Sequence, residues 1–317
     1  MPSSSETRAQ VARESERRRR LAPPAVAGGV LYLLSGIVVA ATANGAPSVG
    51  LLQGLAPALR GEPRPAESPR APEVRYLSHH AFALISGSVI AAIAIGALVL
   101  ILLLLVDAAR FRRPETWSAA RPLVLAGGIS LALVSVAHQV VGSIEAHKFA
   151  VGHDFTSHAV DNALSKATPY QVLAYPALIA GLAMAAGTIA TSLAAMRVGL
   201  LTRWMGILGV FTGVLTFLPL GGVTLQVVPA FWMVMAGILF GGRWPNGDPP
   251  AWAAGEARPW PTQAQMREAR EQARAREPAL STSAGGDAAG GGDVAPAPTR
   301  PSASGSSRRR RKRGARR

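Results

Sequence analysis

IAIGALVLILLLLV, residues 93–106, decides the class of this chain. It holds no charge, no proline and no turn signal, and it closes an apolar run that opens near His80. A helix rises about 1.5 Å per residue, so about 20 apolar residues cross a hydrocarbon layer of about 30 Å. The segment 80–106 is long enough to do so, and Arg110, Arg112, Arg113 and Arg121 follow it. A membrane-spanning helix is the reading that fits.

Working outward, the same test finds further spans at about 25–43, 122–144 and 170–195. A last apolar tract, 204–240, is too long for one helix, and Pro219, Gly221 and Gly222 mark a turn at its middle. It divides into spans at about 204–220 and 223–240. The fold class expected is therefore all-α, a polytopic transmembrane bundle of six spans. Composition agrees: 49% of residues are apolar and 16% charged, where soluble domains carry about a quarter charged.

Basic residues set the orientation, because they favour the cytoplasmic side of a span. Leaving out everything after the sixth span, the expected inner segments hold twelve arginines against six Arg and Lys on the outer ones. Both termini are expected in the cytoplasm. Residues 1–43 also admit a second reading, as a signal peptide with Ala41-Thr42-Ala43 as its small-residue cleavage site.

The remaining segments are polar. Residues 1–22, ending in Arg17–Arg20, contain too little apolar surface to fold alone and are expected to be a disordered tail. In the first loop, Leu51, Leu52, Leu55 and Leu59 share a helical face, so 49–60 suits either a membrane surface or a soluble turn of helix. Residues 243–277 form a juxtamembrane segment in which Trp244, Trp252 and Trp260 recur every eight residues. Such indoles favour the headgroup level, and a short charged helix follows them. Residues 278–317 are a Gly/Ser/Ala/Pro linker ending in a polybasic run, Arg308, Arg309, Arg310, Arg311, Lys312 and Arg313 among it. That run suits anionic lipids at the inner surface, or RNA and the ribosome through their phosphates, or serves only to hold the end inside.

The chain has no cysteine, which excludes thiolate metal sites and thiol catalysis. All six histidines fall on the expected outer side, four of them in HQVVGSIEAHKFAVGHDFTSHAVD, residues 138–161. His80, His138, Glu145 and His158 are the candidate metal ligands. His138 and Glu145 are seven residues apart, hence on one face of a continuing helix, and Asp154, His158 and Asp161 follow i, i+4, i+7 spacing. Imidazole with carboxylate suits a divalent metal, and His80 with His138 suits a haem. No HExxH, HxH or HxxxH pattern is present. Histidines also collect at span ends because hydrocarbon excludes them, and on that reading no cofactor is expected.

No Asp, Glu, Lys or Arg occupies the middle of any span, whereas ion-coupled transport usually places one there. A channel or carrier for a small neutral solute stays open, with Pro219 and Pro229 breaking helices beside a cavity. Gly206, Gly209 and Gly213 on the fifth span, and Gly181, Ala185 and Ser192 on the fourth, have the spacing that lets helices approach closely. This favours packing within the bundle and also allows a homo-oligomer.

Two stretches, MRVGLLTRWMGILGVFTGVL at 196–215 and FWMVMAGILFGGRWPNGDPPAWAAGEARPWP at 231–261, resemble segments of multi-pass bacterial membrane proteins grouped as domains of unknown function. The resemblance implies a bacterial cytoplasmic membrane and supplies no catalytic residues. The leading expectation is a non-enzymatic structural or interaction module that meets a protein partner. A metal- or haem-binding protein using the outer histidines is the alternative.

Overall fold

The computed structural model describes residues 4–50, 67–217, 223–245 and 247–260, with scattered positions at 52–61 and 267–271. The chain divides into one unit ending at Trp260 and another beginning at Pro261; the fold below is that of the first. Its long helices are α1 (Ser4–Asn44), α3 (Ala81–Arg112), α4 (Ala120–Val151), α6 (Thr168–Arg197), α7 (Arg203–Phe217) and α8 (Val223–Phe240). Short elements join them: α2 (Ala71–His79), α5 (Ser157–Asp161), a single π turn (Asn162–Lys166) and α9 (Pro250–Ala254). No strand occurs among the described residues, as the apolar blocks dictate.

Local chemistry starts and stops these helices. Proline occupies the first turn of α2, α6 and α9, where its missing N–H leaves no bond unmade. Thr156 caps α5 by accepting from the Ala159 amide. α9 ends at Gly255 with φ +68°, a backbone state glycine reaches without strain.

Four helices are long and apolar enough to cross a membrane: α1, α3, α4, and α6 together with the α5–π segment before it. α7 and α8 are apolar but shorter. At 15 residues, α7 extends only about 22 Å. Pro219, Gly221 and Gly222, the expected turn between α7 and α8, lie outside the described residues. So does the polybasic run at 308–313.

The long helices form a closed ring. α1 packs on α3 and α8, α3 on α4, α4 on α6, α6 on α7, and α7 meets α8. Small residues set the closest approaches. A Cβ on Gly127 of α4 would meet the Met184 backbone of α6 at 2.5 Å, and one on Gly187 of α6 would meet Val124 of α4 at 2.8 Å. The α6–α7 contact has the same construction: Gly206 faces Met196, Gly209 faces Ser192, and Gly213 faces Ala185 and Ile189. The glycines expected to admit a neighbouring helix thus do so within the chain. Gly181 differs, with open space where its Cβ would stand.

The core is Leu, Val, Met and Ala from α3, α4, α6 and α8, with Trp232 and Phe240 fully buried. Buried hydroxyls bond back to their own helices. Thr188 donates to the Met184 carbonyl at 2.8 Å, Thr191 to Gly187 and Ser35 to Tyr32, so these three hydroxyls need no partner from the apolar surroundings; the buried Ser192 hydroxyl has none among the described residues. Large apolar side chains also face outward, among them Leu34, Ile93, Ile129, Ile179 and Phe211. An exterior of that kind fits hydrocarbon rather than water.

One expectation is overturned. The polar segment 4–22, expected to lack order, continues the helix of the first span through Pro23 and Pro24. Composition failed here because the stabilising partners are distant in sequence: Glu14 and Arg18 are buried against other elements. In the first loop, Leu52 and Leu59 are exposed, while Leu51 and Leu55 lie outside the described residues.

Candidate functional site

Polar chemistry gathers at the two ends of the bundle. At the arginine-rich end the centre is an ion pair between α1 and α3. Arg112 donates to both oxygens of Glu14, at 2.7 and 3.2 Å, with the two side chains 0% and 4% exposed. This is the forked geometry that makes guanidinium–carboxylate pairs directional. Arg112 also donates to the carbonyls of Ala108 and Ala251, so four of its N–H contacts are filled. Gln10 donates to Glu14 at 3.0 Å.

Arg18, one helical turn beyond Glu14, donates to the Leu239 carbonyl at 2.8 Å and to Asp248 at 2.9 Å. Between the two arginines lies Trp252 of α9. The Arg18 guanidinium stands 4.4 Å from its ring centre and that of Arg112 5.4 Å, close enough for both cations to feel the ring's negative face. The indole N–H donates to the Leu200 carbonyl at 2.9 Å, and Phe240 meets the ring edge-on. Two more contacts seal the junction. The Arg258 amide donates to Val198, and Gly199, at φ +82°, lies against the Arg258 carbonyl, where a Cβ has no room. Trp252 is therefore a buried keystone, not a residue lying on a membrane surface.

At the histidine-bearing end, α2, α5 and the π turn pack on α4 through a second core of Ala71, Val74, Ala146, Phe149, Val160 and Ala163. Arg75 lies over the Phe155 ring at 4.4 Å and pairs with Glu67 at 2.8 Å. The exposed carboxylates of the loop are held ionised. Asp154 accepts from the Thr156 amide at 2.9 Å, which lowers its pKa. Asp161 is lowered by its hydrogen bond from Lys166 at 2.7 Å. Arg70 is shifted up by its bond to Glu73.

Each candidate ligand has a local environment of its own. His80 sits at the α2–α3 junction, its Nδ1 2.9 Å from the Tyr76 carbonyl and its ring stacked on Tyr76 at 3.9 Å. His138 meets Tyr170 at 5.1 Å between ring centres. Together with Gln139 and Ser143 these two line a cavity of about 210 Å³. Glu145 pairs with Lys148 at 2.7 Å, and His158 contacts Asn162 at 3.3 Å. His138 and Glu145 do share α4, which continues to Val151. Asp154 precedes α5, so the expected run Asp154, His158, Asp161 is not one helical face. Among the described residues, no three His, Asp or Glu side chains form a group that could hold a metal ion.

The residues that sequence reasoning missed are Glu14, Arg18, Arg112, Asp248 and Trp252. One local signal was present: Glu14 and Arg18 are four apart, the spacing of a helical pair.

No protein family, no curated protein and no solved structure matches this chain.

Proposed function

We propose that this chain is a non-enzymatic structural or interaction module embedded in the bacterial cytoplasmic membrane, with six spans and both termini in the cytoplasm. One observation carries the reading: Glu14, Arg112, Trp252, Arg18 and Asp248 are locked together. That network fastens the segment before the first span and the segment after the last one to a single end of the bundle. A fixed end of this kind offers a partner a stable surface, and the polybasic run at 308–313 follows it in sequence. The apolar interior supports the same view, since the space between Tyr32, Leu98, Leu131 and Met184 is about 20 Å³, room for about one water. A packed interior favours a scaffold over a conduit.

The test is affinity capture from native membranes using the full chain and a chain lacking 308–317. A partner, or a second copy of the chain, recovered near one-to-one with the full chain and weakened by the deletion supports the proposal. Solubility without detergent, or a reporter enzyme fused at residue 317 that is active only outside the cytoplasm, overturns it.

A further inference from the structure

A groove at the arginine-rich end differs in kind from the sealed network beside it. It encloses about 410 Å³ between the α3–α4 connection and the last two turns of α6. Arg113, Glu115 and Trp117 line one side; Leu193, Ala194 and Arg197 line the other. The geometry points to a binding site for one anionic phospholipid.

The charges come first. The neighbouring Arg112 is already committed to Glu14 in a buried pair. Arg197 has no ion-pair partner among the described residues, and it closes α6, where the helix dipole favours a cation. Arg113 contacts Glu115 at 3.2 Å, but both side chains are largely exposed, and such surface pairs hold weakly. An incoming phosphodiester can therefore take both guanidiniums, whose planar forks suit phosphate oxygens. One carboxylate against two guanidiniums leaves the lining net positive.

The apolar wall then selects the rest of the ligand. Leu193 and Ala194 belong to a helix long enough to cross a membrane and stand one turn from Arg197. Trp117, about half exposed, flanks the guanidiniums as indoles do at the headgroup level. A cation-lined pocket at the end of membrane helices, with an apolar floor beneath it, fits a phosphate headgroup continuing into acyl chains. Free phosphate would meet the arginines and leave the floor uncovered. The inference rests on the proposal above that this end lies at the inner membrane surface. It places the lipid contact on the bundle itself, apart from the polybasic run.

Native mass spectrometry of the detergent-purified full chain tests it, with phosphatidylglycerol, phosphatidylcholine and inorganic phosphate as probes. One phosphatidylglycerol should stay bound, with phosphatidylcholine at least about tenfold weaker and inorganic phosphate failing to displace it. R197Q should weaken phosphatidylglycerol about tenfold, the loss of one charge-assisted contact. R197K should recover most of it, and deletion of 308–317 should leave it unchanged. The thermal midpoint of R197Q in lipid-free detergent should match the parent, which separates lost binding from lost folding. Equal retention of both lipids, full displacement by inorganic phosphate, or loss only on deleting 308–317 would overturn the inference. The partner proposal fails separately, in the capture experiment.

Discussion

Arg112 grips the carboxylate of Glu14 across 98 residues of sequence, and both side chains are buried. Removing one member strands the other in a dry environment, at a cost of about 3–5 kcal/mol. We expect R112A and E14A each to lower the unfolding midpoint in detergent markedly. Replacing both with apolar residues of similar volume should recover much of the loss. Single variants as stable as the parent would show the pair to be dispensable.

Trp252 contributes both bulk and a polar tip. W252A should destabilise by about 3–5 kcal/mol, as for other buried aromatic truncations. W252F keeps a ring between the arginines but leaves the Leu200 carbonyl without its indole donor, at about 1–3 kcal/mol. Limited proteolysis between residues 243 and 260 should rank cleavage as W252A, then W252F, then the parent. Equal cleavage in all three would refute this.

The α4–α6 crossing supplies a paired test. G127L forces a side chain into the Met184 backbone and should cost at least the 1–3 kcal/mol, roughly, of an overpacked core. G181A adds a methyl where nothing stands within 4 Å, and alanine is the better helix former, so its midpoint should stay level or rise. Equal effects of the two would refute the assignment of this contact to glycine.

The loop carrying Asp154 and Asp161 should respond to acid. Both carboxyls titrate below their ordinary value, Asp154 through the Thr156 amide and Asp161 through Lys166. Groups lowered in the fold lend order that is complete above the ordinary carboxylate range, near about 4, and lost as pH falls through their own lower values. The Thr156 amide should therefore be protected from exchange at neutral pH and lose protection only in acid below that range. D154N should remove most of this dependence. Protection that does not change with pH would exclude the mechanism.

Much of the fold was legible because a membrane-length apolar block has few ways to satisfy its backbone. The extents of α3, α4 and α6 follow from that constraint, and the glycines of α7 announced a close neighbour. The helix at 4–22 was hidden for a different reason. Its inward residues are charged, and they are stabilised by Arg112, Leu239 and Asp248, which no local pattern connects to them. Trp252 misled by its regular spacing from Trp244 and Trp260, since spacing says nothing about which indole is drawn inward. The histidines show the limit of helical periodicity. Residues sharing a face of one helix converge on a metal only if other helices turn ligands toward the same point, and here His80, His138 and His158 each meet a neighbour of their own.

The contact between Arg18 and the segment after α8 has a consequence for biogenesis. α1 is translated long before its partners, so its guanidinium waits, still hydrated, until Leu239 and Asp248 have been added. A chain terminated ahead of that point leaves Arg18 without either of these acceptors.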